Sequence, residues 1–193
     1  MCNDFGNRIP YDDYLRAFSQ TRIPVRWPKA APNLEPRDDI WPTDTAPVIR
    51  QTDDGYEFTQ LRWSFPPAKP KGPPMINFRS EKRKFPKGRC LVPASHLYEF
   101  TGTKSPKTKW QFTKAGEDWF CFAGLWRPML DGQGAAFTLL TTEPGPDVAP
   151  IHDRQMVILE RTDWQAWLDM SKPESGLLQP LPAGSLNVEQ VRP

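Results

Sequence analysis

The chain has 193 residues, which suits one domain, and its 25 basic and 23 acidic side chains leave a formal net charge of +2. This balance excludes a wholly basic nucleic-acid coat, and no apolar stretch is long enough for a membrane-spanning helix. The N-terminus lacks the apolar core of a secretory signal, and the three cysteines fit neither a disulfide scaffold nor a zinc ribbon. We therefore expect a cytoplasmic protein without a membrane partner, in a compartment where free thiols persist.

The first predicted element is a short amphipathic helix behind Pro10, because Tyr11, Tyr14, Leu15 and Phe18 share one helical face. Residues 24–47 are rich in proline and predict an extended surface loop. A hairpin follows, with strands over residues 46–52 and 56–63 around a turn at 53–55. Residues 64–74 hold too many prolines for regular structure.

Short strands dominate the remainder. They are predicted at 75–78, 89–92, 96–100, 109–113, 119–125, 135–142 and 156–159, with turns between them at 115–118 and 131–134. Thr162 and Gln165 form a capping-box pattern that would begin a second helix, in which Trp164, Trp167 and Leu168 face the core. The tail from residue 180 has weak strand character. Together these patterns predict one α+β, mostly β domain over residues 1–193, with a curved, barrel-like antiparallel sheet and a few short helices.

The middle of the chain is strongly basic. Between residues 62 and 114 the only acids are Glu81 and Glu99. The basic residues there are Arg62, Lys69, Lys71, Arg79, Lys82, Arg83, Lys84, Lys87, Arg89, Lys104, Lys107, Lys109 and Lys114. Such a segment can attract phosphates by counterion release or can form an ordinary solvated surface, and the charges alone do not decide between them.

Cys2 is the first candidate for chemistry, because removal of Met1 would leave a free amine and a free thiol on adjacent carbons. A 1,2-aminothiol condenses with an aldehyde to an imine, and the sulfur then closes a five-membered thiazolidine in a fast intramolecular step. The alternative is that Cys2 is simply a small residue following Met1.

Three further residues could assist such chemistry. Glu99 lies in an apolar strand where desolvation would raise its pKa, although it could also face water at a sheet edge. His152 precedes a strand and could orient or protonate a substrate, or be a structural histidine. Asn77 and Arg79 would project from the same face of one strand. Two histidines without paired ligand spacing make a metal site a poor fit, and Ser95 beside His96 lacks the pattern of a serine hydrolase.

Seven segments in order resemble the SRAP family, the SOS-response-associated peptidase or abasic-site-processing domain. They are MC at the N-terminus, RW at 62–63, INFRSE at 76–81, RCLVPASHLYEF at 89–100, FAGLW at 122–126, LLTT at 139–142 and IHDRQMVIL at 151–159. The resemblance covers nearly the whole chain, and its family fold is likewise a curved, mostly β domain with helices at its margin.

This resemblance implies a function in the SOS and DNA damage response: trapping abasic sites in single-stranded DNA by a covalent protein–DNA bond. It implies that Cys2 is the nucleophile, Glu99 the acid/base group, His152 an assistant at the sugar and Asn77 a positioning residue. Trp63, Arg79, Thr141 and Arg154 match positions that line the DNA channel. It also implies a peptidase-like (hydrolase) step that removes Met1 and a lyase activity at the sugar. We expect a monomer that uses no cofactor or metal and joins the nucleoid when bound to DNA.

The chain also departs from the family pattern near this site. Asn3 and Asp4 replace a usual Gly-Arg pair, Ser64 and Phe78 replace small residues, and DIWP at 39–42 replaces an Asn-x-Ala-Pro loop. The resemblance implies that Asp4 puts an acid where a basic side chain would contact phosphate. Besides abasic-site capture, two alternatives remain open: a self-processing N-terminal cysteine peptidase, and a non-covalent single-strand binder that uses the basic segment and the tryptophans.

Overall fold

The computed structural model of the chain describes residues 2–67, 71–129, 132 and 134–193. The strands are β1 (Phe5–Asn7), β2 (Val25–Arg26), β3 (Arg37–Ile40), β4 (Thr45–Thr52), β5 (Gly55–Trp63), β6 (Asn77–Arg79), β7 (Arg89–Ala94), β8 (His96–Thr101), β9 (Thr108–Lys114), β10 (Phe120–Pro128), β11 (Ala135–Thr142), β12 (Gln155–Met156), β13 (Ile158–Leu159) and β14 (Leu186–Arg192). The helices are α1 (Tyr11–Ser19), α2 (Trp164–Asp169) and α3 (Glu174–Leu177).

Five strands close into a barrel. Around it, β5, β4, β7, β10 and β11 are hydrogen-bonded in sequence, and β11 returns to pair with β5. The closing pair is parallel, as are the β6–β11 and β2–β5 pairs, whereas the other pairings are antiparallel. The prediction of a mostly β domain with a curved, barrel-like antiparallel sheet is confirmed, and parallel pairing at these three places is an addition to it.

A second sheet lies beside the barrel and carries the N-terminus. Its order is β14, β9, β8, β1 and β3. Phe5 of β1 is fully buried in the core and packs its ring 5.1 Å from Trp63 and 5.6 Å from Phe122, measured between centroids. Burial of an aromatic ring of this size removes a large apolar area from water, and it fixes the short β1 strand against the barrel. Cys2 is thereby held close to the core.

The predictions are confirmed for elements whose contacts lie within one short segment of the chain. The first helix and the 46–63 hairpin are confirmed, with Asp53 and Asp54 forming the turn before Gly55. Gly55 has a φ of +109°, a conformation that glycine adopts without strain. The predicted turn at 131–134 and the proline-rich stretch at 64–74 lie partly outside the described residues, the latter at 68–70.

Other predictions need correction. The supposed loop at 24–47 contains β2 and β3, and the weak tail forms β14 on β9. A 3-10 turn at Arg161–Asp163 precedes α2, which begins at Trp164, and neither has the side-chain cap predicted from Thr162 and Gln165. The burial of Trp164, Trp167 and Leu168 is confirmed. Among the described segments, no helix is long and apolar enough to cross a membrane.

Candidate active site

Cys2 lies at the bottom of a pocket and is only 1% exposed. Strand β1 holds it there, because Phe5 pairs with Leu97 of β8 and the Tyr98 N–H donates to the carbonyl of Asp4 at 3.0 Å. The thiol donates to the carbonyl of Arg154 at 3.6 Å. Burial, together with the nearby charge of Glu99, raises the pKa of the thiol well above its ordinary value. The sulfur therefore needs a proton acceptor close by to become a thiolate.

Glu99 is the nearest acid to Cys2 and is also 1% exposed. It points inward from β8, so the buried alternative holds and the water-facing one does not. Burial raises the pKa of this carboxyl, while Cys2 and His152 partly oppose that shift. Its Oε1 atom has no hydrogen-bond partner within the described part of the chain. A buried carboxyl with one unpartnered oxygen is suited to exchange protons with a substrate.

His152 completes this group from the loop before β12. Its Nε2 is 3.7 Å from Glu99 Oε2. On the other side of the ring, Nδ1 lies 2.9 Å from the carbonyl oxygen and 3.0 Å from the amide nitrogen of Arg154. One tautomer donates from Nδ1 to the carbonyl and leaves a lone pair on Nε2, whereas the other accepts from the amide and donates from Nε2. The backbone of Arg154 thus accommodates both tautomers, which suits a group that transfers protons.

Asn77 holds the backbone of Cys2 from the opposite wall. Its side-chain N–H donates to the Cys2 carbonyl at 2.6 Å, and its Oδ1 has no partner among the described residues. Strand β6 places it there by pairing in parallel with β11, Asn77 opposite Leu139 and Arg79 opposite Thr141. The two predicted neighbours therefore do share one face. The resulting pocket has a volume of about 330 Å³. It is lined by Cys2, Asn77, Arg79, Thr141, His152, Asp153 and Arg154.

Arg154 is fixed at the mouth of this pocket by an acid that the sequence reasoning did not select. Its guanidinium forms a two-pronged ion pair with Glu81, one contact of which is 3.0 Å, and donates to Thr141 Oγ1 at 3.2 Å. Bidentate pairing orients the guanidinium plane. Glu81 belongs to the INFRSE segment, so the segment held the signal but its partner could not be inferred before the fold was known.

Trp63 does not reach the pocket. The residue is fully buried, and its indole N–H donates to the carbonyl of Ile76 at 2.9 Å. This corrects the expectation that Trp63 lines a DNA channel. Its contact instead anchors the residue that precedes Asn77, so Trp63 supports the pocket wall from behind.

Asp4 is also not on the rim. The side chain is fully buried, with Oδ2 3.0 Å from Lys109 Nζ, and Lys109 is shared with Asp39. Burial raises the pKa of Asp4 to about 7 even though Lys109 opposes the shift. Asp4, the acid expected to face phosphate, therefore points into the protein. There it shares the ammonium group of Lys109 with Asp39, which is a second departure from the family pattern.

The basic segment divides into two groups. Arg89, Lys109 and Lys114 are consumed by internal ion pairs, the first with Glu174 at 2.8 Å and the last with Glu160 at 2.8 Å. Side chains that remain exposed include Lys71, Arg79, Lys82, Arg83, Lys84, Lys87, Lys104 and Lys107, while Lys69 lies outside the described residues. Some cations of the basic segment are thus paired inside the protein and do not form a solvated surface. Among the exposed cations, those at 79–84 lie beside the pocket, where they could meet phosphates.

Fold and site together define a mostly β barrel domain in which the second residue is a buried cysteine beside a carboxyl group and an imidazole. The chain matches the sequence pattern of the family described as SOS response associated peptidase (SRAP) over residues 1–193. The chain belongs to this family.

The chain also resembles curated relatives in sequence and solved structures in fold. The chain is 29% identical to the abasic site processing protein YoaM of Bacillus subtilis strain 168, over 94% of this chain and 85% of the relative. It is also 29% identical to the abasic site processing protein YoqW of the same organism, over 99% and 92%. A phage-related protein of Bordetella bronchiseptica shares the fold with a TM-score of 0.75 and 23% identity, over 100% and 95%. A protein of Bacteroides thetaiotaomicron gives 0.76 and 18%, over 99% and 92%.

Proposed function

We propose that the mature chain captures abasic sites in single-stranded DNA by bonding covalently to them through Cys2. The observation that carries this proposal is the placement of Cys2 at the base of an open pocket, with Glu99 and His152 beside its thiol. The Bacillus relatives are named as abasic site processing proteins, which supports the choice of DNA lesion. The cationic wall formed by Arg79 and Arg154 suits the phosphates that flank such a lesion.

The chemistry follows from the aminothiol that removal of Met1 would create. The ring-opened abasic sugar carries an aldehyde, to which the Cys2 amine adds; loss of one water gives an imine. The thiol sulfur then adds to the imine carbon, and its proton passes to the nitrogen to close a thiazolidine. In this proposal Glu99 donates the proton that opens the sugar, and it carries the thiol proton on its way to the nitrogen. In this proposal Asn77, whose Oδ1 has no partner among the described residues, accepts a hydrogen bond from the sugar or the amine.

Incubation of the mature protein with an oligonucleotide that contains one abasic site, followed by a denaturing gel, tests the proposal. We expect a shifted band for the wild type, a mass equal to protein plus DNA minus one water, and no band for Cys2→Ala. DNA whose abasic aldehyde has been reduced to an alcohol is the matched substrate control, because it keeps the shape and loses the electrophile. A band of equal intensity with Cys2→Ala or with reduced DNA would reject Cys2 capture.

Met1 removal by the same site is a second part of the proposal. A thiol with a carboxyl and an imidazole within 4.8 Å has the groups that acyl transfer needs. Intact mass of freshly translated wild type, Cys2→Ala and Glu99→Gln, without aminopeptidases, separates the possibilities. Retention of Met1 in both variants but not in the wild type supports self-processing; retention in all three assigns the step to a general aminopeptidase.

A further inference from the structure

The fold brings together three side chains of different metal-binding chemistry that are distant in sequence. One ligand atom from each of Cys2, Glu99 and His152 lies within 4.8 Å of the other two, and His152 Nε2 is 3.7 Å from Glu99 Oε2. Thiolate, imidazole and carboxylate are the ligand types that Zn²⁺ uses in proteins. Tetrahedral zinc with its usual bond lengths separates its ligands by about 3.3–3.8 Å, so small side-chain rotations would reach that geometry. The sequence spacing gave no sign of this set.

Two further observations point to a ligand within the group. Glu99 is only 1% exposed, and its Oε1 atom has no hydrogen-bond partner in the described part of the chain. An unsatisfied buried carboxyl oxygen is costly unless a ligand fills its coordination. In addition, the Arg154 carbonyl lies 2.9 Å from His152 Nδ1. Metal-binding histidines commonly donate their second ring N–H to such a carbonyl, which directs the lone pair of the other nitrogen at the ion.

We propose that this site binds one zinc-like divalent cation through Cys2 Sγ, Glu99 and His152 Nε2, and that the bound cation blocks covalent capture. Removal of Met1 adds the Cys2 amine as a fourth ligand, since nitrogen and sulfur on adjacent carbons close a five-membered chelate ring with the metal. Binding converts the thiol to a thiolate and releases its proton to solvent, with no change in oxidation state. The blocking effect rests on the proposed function, because the same nitrogen and sulfur must attack the aldehyde; the binding itself does not.

Titration of the mature protein with Co²⁺, a spectroscopic stand-in for zinc, tests the binding without DNA. We expect one equivalent to produce thiolate-to-cobalt absorption in the near ultraviolet, and Zn²⁺ to displace it. Cys2→Ser should abolish the absorption, while His152→Gln and Glu99→Gln should weaken affinity at least 10-fold. The exposed Glu189→Gln on β14 is the matched control and should bind like the wild type. Cys90 and Cys121 are fully buried in the core and remain in every variant, so they report any unrelated thiolate signal.

A measurement on the wild type alone guards against a misfolded variant. Bound Zn²⁺ should slow alkylation of Cys2 at least 10-fold, as read by peptide mass, and a chelator should restore the rate. The same Zn²⁺ concentration should slow DNA crosslinking, again reversibly. Absence of a one-equivalent cobalt signal, or an equal signal in Cys2→Ser, would overturn the metal inference. If chelator-treated protein still crosslinks DNA in that case, the proposed function stands. If the protein binds cobalt but never crosslinks abasic DNA, metal binding stands and the proposed function fails.

Discussion

Glu99 is the residue whose environment most directly affects the proposed chemistry. It shares a buried space with the thiol of Cys2 and the imidazole of His152, and that burial raises its pKa. A carboxyl in this position stays protonated closer to neutral pH than one at the surface, so it can act as an acid and then as a base. The Arg154 backbone contacts His152 Nδ1 through both its carbonyl oxygen and its amide nitrogen, so in the proposed chemistry the ring could pass a proton onward by changing tautomer.

Replacement of Glu99 by Gln keeps the shape and removes the titrating group. We expect the rate of crosslinking to abasic DNA to fall about 10²- to 10⁴-fold, the range typical of a lost general acid or base. The wild-type rate should decline as pH rises through the raised pKa of Glu99, where the acid form is lost, and Glu99→Gln should lack that limb. Single-turnover rates across pH, at saturating DNA, measure both effects. An unchanged pH profile in Glu99→Gln would assign the limb to another group.

Asp4 presents a different case, a buried acid that stabilises the fold less as it ionises. Its pKa of about 7 in the folded protein exceeds the ordinary value of 3.8, so the folded state retains a proton that the unfolded state has lost. The contribution of Asp4 is therefore greatest below pH 4 and declines as pH rises toward 7. Above pH 7 the carboxylate is charged in both states and the decline ends.

Asp4→Asn removes this titration while keeping the side-chain size. We expect the melting temperature of the variant, relative to the wild type, to rise between about pH 4 and pH 7 and to level off above pH 7. Thermal unfolding at intervals of pH, in matched ionic strength, measures the difference. Asp12→Asn, at an exposed position on α1, is the control for the loss of one acid from the protein surface. A flat difference for Asp4→Asn would contradict the burial argument.

The residues of the site were predictable to the extent that each lies in a distinctive segment. Position singled out Cys2 as a candidate, apolar surroundings singled out Glu99, and places beside or within predicted strands singled out His152 and Asn77; the family resemblance then gave each a role. Trp63 faces inward through Phe5 and Ile76, and Asp4 through Lys109; these partners are distant in sequence, so the chain alone could not reveal either orientation. Cys2, Glu99 and His152 are likewise distant in sequence, so their spacing does not indicate a metal site.

At the scale of elements, local patterns succeeded and long-range pairings were missed. The 46–63 hairpin is confirmed because its turn and both strands lie in one short segment. Strands β2 and β3 contain few residues, and they exist only because β5 and β1 offer hydrogen-bonding edges. Barrel closure by a parallel β5–β11 pair, which joins Arg62 to Ala136, likewise has no local signature. These pairings set the pocket, because β11 also receives β6.

The short strand β6 depends on Trp63 for its position. The indole N–H of Trp63 is bonded to the carbonyl of Ile76, immediately before Asn77. Trp63→Phe keeps an aromatic ring and removes this bond, so we expect unfolding to become easier by about 1–2 kcal/mol. Because Asn77 would lose its anchor, the crosslinking rate at saturating DNA should also fall. Denaturant unfolding and single-turnover kinetics measure the two effects.

Trp126→Phe provides the matched comparison. Its indole N–H is buried without a hydrogen-bond partner in the described structure, so the same atoms are removed without loss of an anchor. We expect this variant to lose less stability than Trp63→Phe and to crosslink at the wild-type rate. Equal kinetic losses in the two variants would show that aromatic volume, and not the bond to Ile76, positions Asn77.

Over the whole molecule, the numbers of basic and acidic residues are nearly equal, but the positive charges are unevenly distributed on the surface. The exposed Lys82, Arg83 and Lys84 line a groove of about 600 Å³ that also includes Thr142. Ser80 and Thr142 of this groove directly follow Arg79 and Thr141 of the Cys2 pocket in the chain, so groove and pocket are built from neighbouring residues. In the proposed complex, Lys82, Arg83 and Lys84 would attract the phosphates that flank the reacting sugar.

Neutralising these three cations should weaken DNA binding and leave the bond-forming step intact. For Lys82→Gln/Arg83→Gln/Lys84→Gln we expect a higher half-saturating DNA concentration and a slope of log affinity against log salt reduced by about 2, since each phosphate contact contributes about 0.7 for a single strand. The yield at saturating abasic DNA should match the wild type, because the substituted side chains lie outside the pocket that contains Cys2. Lys104→Gln/Lys107→Gln, at exposed positions between β8 and β9, controls for net charge and should change the slope little. Equal slopes for the two variants would show that the strand does not follow the groove, whereas a lost yield at saturation would show that these cations also position the reacting sugar.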